Sequence, residues 1–244
     1  MLLKLLLSAF SKPSDDSTAR LEPNENDPFS VLVGKVKGII KGIFDWLTLI
    51  LMFVLPAITS DYRIVYGVTF GVGLLLSLYN GYQHFSSIAT VKIFPKYFEV
   101  NILLINFALF IMEVSAQPSS DWSEDWTGII SNTYLLLAVV LSMLIQKPFT
   151  IEFAMEKVDE QYWSNPTFIS LNYSITMAWA VEFALSVLFS ILGIFVYPDN
   201  SAARNVPGIV VLILTLIFTK RYPEYVRAQA RKQMAPANDA NGTA

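Results

Sequence analysis

The chain has 244 residues, 54% of them hydrophobic, and a net charge of −3, with a mean hydropathy of +0.48. Usage this apolar is far from that of an ordinary soluble domain, and its dispersed basic residues form no nucleic-acid footprint. With no cysteine and a single histidine, His84, it has neither a disulfide framework, nor thiolate chemistry, nor a histidine-rich metal site.

In chain order, residues 1–28 form an N-terminal segment outside the apolar pattern. Its first ten residues resemble a short signal h-region but read as an interfacial anchor, and the polar stretch after them reads as disordered. Residues 29–221 read as one membrane domain, and 222–244 as a cytoplasmic polar tail. Apolar segments over 43–59, 64–82, 98–116, 128–145, 168–196 and 206–219 have the lengths of membrane crossings. The expected fold is therefore all-α and polytopic, with six transmembrane helices. The fifth segment is long for one upright crossing and the sixth is short.

The loops sort charge by side. One set of alternate gaps holds Lys4, Lys12, Arg20, Lys35, Lys37, Lys41, Lys92, Lys96, Lys147, Lys157, Lys220, Arg221, Arg227, Arg231 and Lys232. The other set holds only Arg63 and Arg204. Lys and Arg bias loops to the cytoplasmic face during insertion, so this pattern predicts both termini inside. It fits a plasma or inner membrane better than an organellar one.

Glycines at four-residue spacing mark faces where another helix can approach. Gly34, Gly38 and Gly42 precede the first span, and Gly67 and Gly71 lie in the second. They are candidates for self-association or for membrane-protein partners, alongside the bilayer itself. The outer loop 117–127 is acidic, with Asp121, Glu124 and Asp125 between Trp122 and Trp126, and reads as a solvated, tryptophan-anchored loop.

In the inner loop 146–167, Ile151, Ala154, Met155, Val158 and Tyr162 recur at helical spacing, with Glu152, Glu156, Asp159 and Glu160 opposite. That pattern predicts one amphipathic surface helix with its apolar side inward. On this reading Val158→Asp harms the protein more than Glu156→Lys. A weak internal duplication is also visible: the unit span–inner loop–span occurs twice, with Asn106 in the first copy loosely answering Asn172 in the second.

Candidate chemistry lies inside the spans. Glu99, Asn106 and Glu113 are seven residues apart and predict one polar stripe on the third helix. Glu182 is the deepest carboxylate of the fifth. Ionisable residues in hydrocarbon are costly and mark function by default. The alternative is interhelical glue through hydrogen bonds. No nucleophile elbow, phosphate loop or His-Glu-x-x-His pattern occurs, so no catalytic residue, cofactor or metal is expected.

The second half resembles the intracellular septation protein A family of bacterial inner-membrane proteins. The resemblance rests on Lys147-Pro148, Trp163, Leu171-Asn172, Ala178-Trp179-Ala180-Val181 with Phe183, and the apolar run 214–218. It covers residues 145–221 and extends to 64–113 only in layout. It implies a non-enzymatic multispanning protein tied to envelope maintenance and cell division through membrane partners. The competing expectation is a small transporter or channel using Glu113 and Glu182.

Overall fold

The computed structural model describes residues 46–86, 92–115, 122–197 and 200–241, without the side chains of 122–125, 201–204 and 230–241. Two compact units divide at Leu47, and only Trp46 and Leu47 of the first are described. The expected N-terminal segment, the Gly34–Gly38–Gly42 face and the acidic loop side chains from Asp121 to Asp125 lie outside the described residues.

Every regular element among the described residues is helical. Helix α1 is Trp46–Ala57, closing in a tight turn over Leu55–Ala57 with Pro56 buried. Then come α2 (Tyr62–Phe85), α3 (Tyr97–Ser115) and α4 (Trp122–Leu144). The short α5 (Thr150–Met155) precedes α6 (Pro166–Val196) and α7 (Ser201–Asn241). Local chemistry sets several ends. The Asp61 side chain accepts from the Arg63 N–H at 3.0 Å to start α2. Asn165 does the same for Thr167 at 2.8 Å before Pro166 opens α6.

Five helices are long and apolar enough to cross a membrane: α2, α3, Trp126–Leu144 of α4, α6, and Asn205–Gln229 of α7. Only 17% to 39% of each apolar window is buried inside the protein. Leu75, Leu78, Leu137, Leu141, Leu188, Leu192 and Phe195 point outward. A bundle that leaves this much aliphatic surface uncovered is built for lipid, not water. The chain is thus an all-helical protein with the features of an integral membrane protein.

Successive helices pack side by side: α2 on α3, α3 on α4, α4 on α6, and α6 on α7. The Leu55–Ala57 turn touches both α7 and α2, linking the two ends of the series. On α3 the buried positions are Phe98, Ile102, Ile105, Asn106, Leu109 and Glu113, a helical stripe facing the bundle. Close approach uses glycine at Gly73, where a Cβ would lie 2.9 Å from Thr48 Cγ2 and 3.0 Å from Leu103 Cδ2.

Three expectations are corrected. The inner loop is not one amphipathic helix, because α5 ends at Met155 and a separate turn covers Glu160–Tyr162. Its inward side carries Thr150 and Phe153 together with the acids of the opposite face. The short sixth segment is part of a 41-residue helix that runs past Pro223 into the polar tail. Gly67 faces a neighbour inside the fold, since a Cβ there would meet Phe110 at 3.0 Å, whereas no described residue lies within 4 Å of a Cβ on Gly71.

Candidate functional site

The four intramembrane polar residues do not converge. Glu99 and Glu113 lie fourteen residues apart on one helix, a separation of about 21 Å at 1.5 Å per residue. Asn106 and Glu113 are buried, whereas Glu99, at the start of the helix, has a side chain 19% exposed.

Asn106 is fully buried, with Nδ2 donating to the Ile102 carbonyl at 2.8 Å. Its Oδ1 has no hydrogen-bond partner among the described residues. Glu113 sits near the opposite end from Glu99. Its backbone carbonyl accepts from Arg63 Nε at 3.3 Å, and its buried Oε1 has no hydrogen-bond partner among the described residues.

Glu182 is completely buried on α6. One carboxyl oxygen accepts from Ser186 Oγ at 3.1 Å, a turn further along the same helix, and Oε2 has no described partner. Among the described residues, no hydrogen bond or ion pair joins Glu182 to Glu99, Asn106 or Glu113. Trp179 and Phe183, both fully buried, flank it in sequence with rings 5.9 Å apart.

Among the described residues, the densest charge cluster centres on a residue that the charge pattern puts in the gap between the second and third spans. Lys96 precedes α3 and has a side chain only 2% exposed. Its Nζ lies 3.1 Å from Glu99 Oε1 and 3.1 Å from Glu156 Oε1, and 4.7 Å from the centre of the Phe153 ring. Asn80 Nδ2 reaches Glu99 at 3.4 Å. Glu152 accepts from the Tyr97 N–H at 2.7 Å, satisfying a donor that the start of α3 leaves open.

Burial opposes the charge on Lys96, but the Glu99 and Glu156 carboxylates outweigh it and hold the ammonium above its ordinary pKa. Glu152 is shifted up, chiefly by burial, against the Tyr97 hydrogen bond that favours its ionised form. The cluster straps the loop before α6 onto the start of α3. Two sequence signals point to it: Lys96 and Glu99 at i, i+3, and Glu152 and Glu156 at i, i+4.

The positions that carry the septation-family resemblance sit beside this strap. Pro148 is buried, while Lys147 is exposed. Trp163 Nε1 donates to the Val158 carbonyl at 3.2 Å, and Lys92 donates to the same oxygen at 3.1 Å. Asn172 is 1% exposed, and its carbonyl accepts from Thr150 Oγ1 at 2.9 Å. Trp179 meets Phe149 edge-on with ring centres 6.3 Å apart, and Phe149 stacks on Phe98 at 4.1 Å. These residues pack the inner loop against the bundle.

The weak duplication gains nothing from its asparagine pair. Asn106 and Asn172 both donate to the carbonyl four residues back, but Asn101 and Asn132 make the same bond at 2.8 Å. No cluster of three or more His, Cys, Asp or Glu suited to a metal occurs among the described residues. Comparison with protein-family models, curated proteins and solved structures finds no match for this chain.

Proposed function

We propose that this chain is a non-enzymatic, six-span membrane protein of a plasma or inner membrane, with both termini cytoplasmic, that organises membrane partners. The observation that carries the reading is the isolation of its buried carboxylates. Glu182 is held by its own helix, Glu99 is neutralised by Lys96, and Glu113 lies at the far end. Groups so separated act as local hydrogen-bonding and packing devices. The septation-family resemblance adds a setting, envelope maintenance and cell division, in which such a protein works through partners. The open Gly71 face is the described surface that suits one.

The second reading, a small transporter or channel, draws on the unpartnered Oε2 of Glu182. A proteoliposome flux assay separates the two. The partner-organising reading expects no solute movement above that of empty vesicles. Flux that Glu182→Gln abolishes in a folded protein would replace it with the transporter reading.

Orientation is tested separately, because the chain has no native cysteine. Cysteines at Ser120 and Ser201 should react with an impermeant thiol reagent in intact cells, and one at Ser86 should not. The reverse pattern would invert the assignment.

A further inference from the structure

A small cavity of about 40 Å³ opens between helices at the end opposite Lys96, where the Pro56 turn, the start of α2, the first turns of α4 and the last turns of α6 meet. Its polar lining comes from Tyr62, Tyr66, Ser131, Asn132, Ser190 and Asn205. All of these side chains offer oxygen, and none is charged.

The Asn132 amide is spent on one side only. It is 7% exposed, its Nδ2 donates to the Gly128 carbonyl at 2.8 Å, and its buried Oδ1 has no hydrogen-bond partner among the described residues. Ser131 Oγ donates to that same carbonyl at 3.2 Å, which leaves its lone pairs as acceptors. Ser190 Oγ stands across from Gly128, 3.5 Å from where a Cβ would be. A buried acceptor without a donor is costly, so this lining calls for an occupant that accepts its lone pairs.

Size and charge narrow the occupant. A water needs roughly 10–15 Å³ of such space, so the cavity holds a few waters or one dehydrated alkali ion, and no sugar or amino acid. Divalent sites are built around carboxylates, and the lining has none. The described charged side chains at this end include Asp61 and Glu113 against Arg63. Such an excess of carboxylates draws cations and repels anions.

We infer that this cavity is a binding site for a monovalent alkali cation, coordinated by side-chain amide and hydroxyl oxygens including Asn132 Oδ1, Ser131 and Ser190. It goes beyond the partner-organising reading and holds equally if the chain moves a solute. A bound ion would tie α4 to α6 at their outer ends.

The test is thermal unfolding of the purified full chain in sodium, potassium or choline chloride at equal ionic strength. One alkali ion should raise Tm saturably by a few degrees over choline, as a ligand specific to the folded state does. Asn132→Leu and Ser190→Ala should each raise the half-maximal ion concentration by about tenfold, the equivalent of roughly 1.4 kcal/mol. Ser174→Ala, at the other end of α6, should leave it unchanged. Identical unfolding in all three salts means the cavity holds water only, and overturns the proposal. So does an unchanged half-maximal concentration in Ser190→Ala, which decides the matter even if Asn132→Leu fails to fold.

Discussion

Lys96 keeps its charge where hydrocarbon-facing helices meet the inner loop, and two carboxylates make that tolerable. Removing one member of a buried ion pair leaves the others uncompensated and costs about 3–5 kcal/mol, whereas exchanging the whole set for neutral groups is often neutral. Lys96→Met should therefore lower Tm in detergent sharply. Lys96→Met combined with Glu99→Gln and Glu156→Gln should recover most of the loss. A triple variant no better than the single one would mean that the ammonium over the Phe153 ring, not its pairing with the carboxylates, carries the effect.

Glu182 poses the opposite case, a carboxyl with one hydrogen bond and no counter-charge among the described residues. Glutamine matches its shape and can still accept from Ser186, so Glu182→Gln should leave folding unchanged. Glu182→Leu should lose an interhelix-scale hydrogen bond of about 0.6–1.7 kcal/mol. Thermal unfolding of both variants at matched expression checks this, and a collapse of Glu182→Gln would require a charged carboxylate in the native state.

Among elements, the α4–α6 connection shows how far periodicity reaches. Residues 151–162 display two faces clearly in sequence, but spacing alone does not say which face turns inward. The rule that apolar residues face the bundle fails here because the bundle offers a buried ammonium and an open backbone N–H. The acids answer both. Glu156→Lys, which sets two ammonium groups together, should thus reduce accumulation more than Val158→Asp, the reverse of what periodicity expects. Equal tolerance of the two would remove the strap.

The shift of Glu152 gives the same element a pH signature. Its folded pKa lies above the unfolded value, so stability falls as pH rises through the unfolded pKa toward the folded one, and stays lower above it. Glu152→Gln removes that loss. Its Tm should exceed the parent's at neutral pH, and the gap should close on acidification through the carboxylate range. A gap that widens in acid would contradict the assignment.

The spans themselves were legible because length and apolarity suffice to mark a crossing, and all five long helices fall where the hydrophobic segments do. Heptad spacing marks Asn106 and Glu113 as neighbours on one stripe, and both are buried. Glu99, one repeat before Asn106, is part-buried at the helix start, where Lys96 pairs with it. The Lys96 strap stayed hidden because its cross-links, Tyr97 to Glu152 and Lys96 to Glu156, join two short local patterns more than 50 residues apart.

For the whole molecule, burial of only 17% to 39% of each apolar window means that the uncovered helix faces determine what the protein meets in the membrane. Gly71 offers the cleanest probe, because no described residue lies within 4 Å of a Cβ placed there. Gly71→Leu should leave Tm unchanged while lowering recovery of crosslinked partners or self-associated chains. Gly73→Leu, driven into Thr48 and Leu103, should fail to fold. Unaltered crosslinking in Gly71→Leu would exclude that face as the contact.

The strap also dictates an order of events during synthesis. Tyr97 and its acceptor Glu152 are separated by 55 residues, and Glu156 follows later still. When α3 first emerges, Lys96 has only Glu99 beside it and must stay hydrated at the surface. Only after α4 has crossed and the ribosome has released the segment behind it can the lysine be drawn in. A nascent chain stalled before residue 150 would therefore expose position 96 to water, and one stalled well after residue 165 would hide it. The Lys96 end of this protein is sealed late, by a clasp that arrives only after two more membrane-length helices have been made.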